Sequence, residues 1–239
     1  MGKTAEERAM DMHIAQDLPI TGIDVYALPP EQGEAVLRRQ LAAAYRLVDH
    51  FGWTELIYGN KVAPSPHPVN YAGFVIHSAV HMAHEARHKV VMHTHTRAGM
   101  AVAAMKEGLQ PVSMGSTAFH NRLSYHEYEG PSLDLDERGR LLKNLGDNQA
   151  LMLRNHGLLV TGRSVPEAFL RLYRLERACQ VQLDAAAAGT LNVMGDNLAA
   201  KSGADIDRFS EMESAVGIGD LEFAALVRKI DKVDRGWRD

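Results

Sequence analysis

The chain has one cysteine, Cys179, among 239 residues, so no intrachain disulfide can form and packing and hydrogen bonds must hold the fold. It has no apolar run of membrane-spanning length. Its 26 Lys and Arg residues are scattered rather than gathered on a stripe. With 30 Asp and Glu the formal charge is −4, which offers nucleic acid no electrostatic footprint. The opening MGKTAEERAMDM is charged from the start and lacks a secretory apolar core, and Glu6 stands where a myristoylation signal needs Ser or Thr. The expectation is a cytoplasmic protein that binds neither nucleic acid nor membrane.

What the chain has in plenty is histidine. Six of its twelve stand in HSAVHMAHEARHKVVMHTHT, from His77 to Thr96. Around them the pattern suits one domain, since a hydrophobic content of 46% is enough for a substantial core. Residues 1–33 carry Pro19, Pro29, Pro30 and Gly33 between weak apolar patches and read as an N-terminal arm, with the domain proper over 34–239. From Glu34, the positions Leu37, Leu41, Ala44, Tyr45 and Val48 recur at helical spacing. A second helix is predicted from Phe74 to Arg87. KVVMHTH then has the β-branched density of a buried strand, and Thr96 can cap a small-residue helix, RAGMAVAAMK.

Further on, Pro111 to Gly130 reads as short strands and loop, and DLDERGRLLKNL as an acidic-started helix. ALMLRNHGLLVTG reads as two strands joined by a turn at Asn155, His156 and Gly157. Val165 to Ala187 is a long helix, a loose glycine-bearing stretch follows, and DLEFAALVRKIDKV closes with an amphipathic helix. Strands mixed with helices argue for a layered α/β or α+β domain.

Two patterns compete for a metal ion. On a strand, residues i and i+2 share a face, so His93 and His95 project together and can grip one ion or simply pack as a hydrogen-bonded pair. His156 strengthens the first reading, because a turn at a strand end can aim it, and three neutral histidines with an open fourth position are a common way to hold a catalytic divalent ion. The rival is HEARH, His84 to His88, which fits the zinc-protease pattern of two histidines one helical turn apart with a glutamate between. Arg87 and Lys89 beside it are unfavourable to a dication, and no third ligand follows at short spacing. His84, Glu85, Arg87 and His88 therefore read as the solvated end of a helix that buries Ala79, Val80 and Ala83. His120 and His126 read as loop residues, and Cys179 as packing.

The run VVMHTHTRAGMAVAA, followed some sixty residues later by LMLRNHGLLVTGRSVPEAF, resembles the class II aldolase/adducin family, over most of the chain from Glu34 to about Gly189. The resemblance implies an α/β fold of αβα layers, a single domain around a central, mainly antiparallel β-sheet. It also implies a homotetramer with active sites at subunit interfaces. It makes His93, His95 and His156 the ligands of a divalent metal, most naturally Zn2+, which stabilises an enediolate as a carbon–carbon bond in a small hydroxy-carbonyl substrate breaks. The expected activity is thus that of an aldehyde-lyase in carbohydrate metabolism. The alternative is the adducin branch, in which the fold serves as a non-catalytic, actin-associated binding and assembly module.

Three departures from the family pattern sharpen this. His77 stands where the sugar-phosphate aldolases carry an acid/base glutamate; the expectation is a fourth ligand or a replacement base, against the alternative of a polar residue in the first helical turn. Val75 and Ile76 replace two phosphate-binding serines, and neither side chain can donate a hydrogen bond, so a phosphorylated substrate is not expected. The family's segment between FGWTELIY and PSPHPVN is longer. Either a β-ribbon is lost here or residues are missing between Tyr58 and Lys61, and exposed sheet edges favour the second. Tyr125 and Tyr128, in SYHEYEG, lie near a family tyrosine that reaches an active site; Tyr128 is the expected proton donor to a leaving group, against packing at a subunit contact.

Overall fold

A computed structural model describes residues 17–53, 71–84, 86–130, 136–212 and 217–238. The helices are α1 (Pro30–His50), α2 (Tyr71–Ala83), α3 (Arg97–Ala103), α4 (Met114–Thr117), α5 (Glu137–Leu145), α6 (Val165–Ala188), α7 (Asp196–Met212) and α8 (Asp220–Ile230). The strands β1 (Val90–Thr94), β2 (Leu123–His126), β3 (Ala150–Leu153) and β4 (Gly157–Gly162) form one sheet in the order β1-β4-β3-β2. β4 is antiparallel to both of its neighbours, while β2 runs parallel to β3. The sheet is mainly antiparallel, as the resemblance implied.

Because side chains alternate along a strand, the sheet offers two apolar faces. On one, Ala150, Met152, Leu158 and Val160 pack against Val102 of α3 and Leu172 and Leu175 of α6. On the other, Val91, Leu151, Leu153 and Leu159 pack against Ile76 and Val80 of α2 and Leu141 and Leu145 of α5. Helices on both faces make the αβα arrangement. A third cluster joins α1, α8 and the start of α6 around Leu47, Trp53, Phe169, Phe223 and Trp237. Among the described residues no helix is long and apolar enough to cross a membrane.

Local chemistry explains several boundaries. α1 opens at Pro30, a turn before the predicted start, because a proline at the first helical position lacks only an N–H that would have had no partner. Residues 17–29 run along this helix, where Gln40 donates to the Ile20 carbonyl at 2.7 Å and Arg39 to that of Leu18 at 2.9 Å. Thr96 caps α3 as expected, its hydroxyl accepting from the Gly99 N–H. The stretch after Gly189, read as loose, contains α7. That helix is pinned by polar contacts rather than a broad apolar stripe, with Thr117 bonded to Ser202 at 2.8 Å and Arg122 paired with Asp207 at 2.6 Å.

Three expectations about histidines change. α2 ends at Ala83, so His84 and His88 do not share a helix face, and the chain turns there through a bond from the His88 N–H to the His84 carbonyl. His88 is not solvated: it is 0% exposed, with Nδ1 3.3 Å from the Val80 carbonyl, because the turn folds it back under α2. His126 is not a loop residue but the buried end of β2, bonded to Asn144 at 2.8 Å and Glu137 at 3.3 Å. Glu85 and the segment between Tyr58 and Lys61 lie outside the described residues.

Candidate metal centre

His93 is the fourth residue of β1, on the same face as Val91, and His95 follows just past the strand end. His156 comes from the turn between β3 and β4, where Asn155 takes a left-handed conformation with φ of 55° and donates its N–H to the Ala103 carbonyl. The three rings converge into a nearly equilateral triangle with centroids 4.7, 4.8 and 4.7 Å apart. One nitrogen from each lies within 4.8 Å of the others, and among the described residues this is the single group of three or more potential ligands so gathered. His84 and His88 join no such group. Close approach at Gly157 makes the triangle possible: a Cβ there would lie 2.4 Å from the Thr94 carbonyl oxygen and 3.3 Å from both His93 and His95 ring carbons.

The donor set suits a divalent ion. His93 Nδ1 is 2.8 Å from the Leu158 carbonyl, which can only accept, so Nδ1 carries the proton and Nε2 presents a lone pair. Burial holds the His93 pKa well below its ordinary value, with His156 and His95 adding to the effect. Burial, then the charge of His95, lowers that of His156 to about 4. Neutral rings are what a metal needs. The Nε2 atoms of His93 and His95 are 2.8 Å apart.

His77, on α2, lies outside this triangle but close enough for its charge to act on His93. Burial, then His81, lowers its pKa to about 4. His81 itself is tied by Nδ1 to the His88 carbonyl at 2.7 Å. Tyr128 stands beside the triangle, its ring centre 6.3 Å from that of His156, and is 54% exposed. Tyr125 is placed differently: its hydroxyl accepts from the Leu109 N–H at 3.0 Å and its ring lies under the Arg154 guanidinium, which makes it an anchor for the loop after α3. Cys179 is buried and its thiol pKa is pushed up, in keeping with packing.

One feature escaped sequence reasoning. Thr96, next to His95, donates its hydroxyl proton to Glu176 of α6 at 2.5 Å. The readable signal was a glutamate inside the apolar stripe of Leu172, Leu175 and Cys179, a place where a charged residue needs a reason.

Residues 59–183 match the model of the Class II Aldolase and Adducin N-terminal domain. A protein of Pseudomonas aeruginosa, placed by its name among the class 2 aldolases, is 38% identical over 242 aligned positions, covering 84% of this chain and 91% of that one. Alpha-adducin of Rattus norvegicus is 34% identical, covering 96% of this chain but 37% of its own length. A crystal structure of an aldolase II superfamily protein from Pseudomonas syringae superposes with a TM-score of 0.73 at 36% identity, covering 85% of this chain and 95% of that one. An alignment of 242 positions covering 84% of 239 residues has gaps on this chain's side, so the P. aeruginosa protein carries residues without a counterpart here.

Proposed function

From the premise that the chain belongs to the class II aldolase and adducin family, we propose that it is a metal-dependent lyase that cleaves a carbon–carbon bond in a small, non-phosphorylated hydroxy-carbonyl compound. The observation that carries this reading is the triangle of histidines, His93, His95 and His156, each with a nitrogen turned inward. They would hold the ion, with zinc the preferred metal. Such an ion supplies Lewis-acid stabilisation of the negative charge that builds on a substrate oxygen as the bond breaks. His77, unprotonated at neutral pH, accepts the substrate hydroxyl proton, and the Tyr128 phenol donates to the leaving carbon. His77 stands outside the gathered ligand set, which favours the base role over a fourth ligand.

The absence of phosphate from the substrate is supported by Val75 and Ile76. They are 1% and 4% exposed, and Ile76 packs into the core cluster between α2 and the sheet, so their side chains do not line a site. A homotetramer with sites between subunits is part of the same reading. Its test combines metal analysis of the purified chain, sedimentation, and a screen of hydroxy-aldehydes and hydroxy-ketones for metal-dependent cleavage. Cleavage that survives loss of all three histidines would refute it. The 34% identity with rat alpha-adducin favours one second reading, a non-catalytic, actin-associated assembly module. Co-sedimentation with filamentous actin, undiminished by removing the histidines, would support that reading instead.

A further inference from the structure

Glu176 is 2% exposed, yet among the described residues no ion pair reaches it. Burying a carboxylate is costly unless its oxygens are hydrogen-bonded, and here they are: Oε2 accepts from the Thr96 hydroxyl at 2.5 Å and Oε1 from the Gln180 side chain at 2.8 Å. A hydroxyl has one proton and two lone pairs. With its proton committed to Glu176, Thr96 keeps a lone pair for the Gly99 N–H at 3.2 Å, the bond that starts α3.

Gly99 is where this first turn meets the sheet. A Cβ there would lie 2.6 Å from the Thr96 hydroxyl oxygen and 2.7 Å from Leu158 Cγ, so the turn is pressed against Leu158. The carbonyl of Leu158 in turn takes the His93 Nδ1 proton. One contact set therefore runs from Glu176 through Thr96 to the backbone that aims His95, and through Gly99 and Leu158 to His93. A leucine at 176 would serve the apolar layer equally well for packing. Only an acceptor can direct the Thr96 hydroxyl.

We propose that Glu176 is a positioning residue for the metal centre, acting through Thr96 to set the aim of His95 and, through the first turn of α3, of His93. It touches neither ion nor substrate. The inference rests on the metal-binding reading above, and its test separates the two.

The full chain is titrated with Co2+, reading the visible d–d absorption and the dissociation constant by competition with a chelator. Wild type is compared with Glu176→Leu, Glu176→Gln, Thr96→Val and Thr96→Ser. Circular dichroism and thermal unfolding are recorded for each. Glu176→Leu and Thr96→Val should each weaken Co2+ binding about tenfold to a hundredfold and alter the absorption band, with the double variant little worse than either single one. Glu176→Gln and Thr96→Ser, which keep an acceptor and a hydroxyl, should recover affinity to within about threefold, a rescue that volume-filling alone does not give. Folded Glu176→Leu that binds Co2+ as wild type does, with an unchanged spectrum, overturns this inference alone. If that variant fails to fold, unchanged binding by Thr96→Val overturns it instead. A wild-type chain that takes up no Co2+ overturns the metal reading and this inference with it.

Discussion

His93 gives its Nδ1 proton to the carbonyl of Leu158, 2.8 Å away on the neighbouring strand, and that bond leaves Nε2 as a lone-pair donor facing His95 and His156. Ring orientation and tautomer are settled by the same contact. Each corner of the triangle can be tested.

Replacing His156 by Ala should weaken zinc binding more than about a hundredfold, beyond the range of changes behind the ligands, while His84→Ala leaves it unchanged. Equilibrium dialysis with metal analysis decides this. Equal affinities for wild type and the His156 variant would remove that residue from the centre.

Tyr128→Phe should leave metal content unaltered and lower turnover about a hundredfold, within the usual range for general acid catalysis. Its exposure predicts a small effect on melting temperature. Unchanged turnover would place Tyr128 in packing or a subunit contact.

Gly157→Ala should destabilise the chain by about 1–3 kcal/mol, as overpacking does, and also impair metal binding, because the added methyl meets the Thr94 carbonyl and two of the three rings. Urea unfolding and metal titration measure the two effects separately. A stable variant with full metal affinity would contradict the geometry.

Acid should loosen the metal-free fold between neutral pH and about pH 4. His77 and His156 have folded pKa values near 4, against an ordinary 6.5. As pH falls the unfolded chain therefore binds these protons first, stability drops below about 6.5, and the contribution of these groups levels off below 4. Urea midpoints across this range check the sign; a midpoint that rises on acidification contradicts it.

The two histidines of HEARH should respond unequally. His84→Ala is expected within about 0.5 kcal/mol of wild type because that side chain is exposed. His88→Ala should cost about 2–4 kcal/mol, as truncation of a fully buried ring does. Equal, negligible effects would restore the picture of a solvated helix end.

The strands around HTH and NHG, the long α6, the caps at Thr96 and the three inward histidines were legible in the sequence. Each rests on short-range chemistry: side-chain alternation, helical spacing, turn residues and hydroxyl caps. By itself the sequence determined which residue types could bind an ion and which family the fold resembles. Only the tertiary structure decided that His88 is buried while His84 is not, since one turn of backbone separates them and neighbouring α2 covers just one. It also decided that α7 is a helix, held by Ser202 bonding to Thr117 at the end of α4 and by Asp207 pairing with Arg122 beyond it. The partnership of Thr96 with Glu176 spans eighty positions. No local pattern encodes such a contact, because it exists only when α6 packs across the sheet against the start of α3.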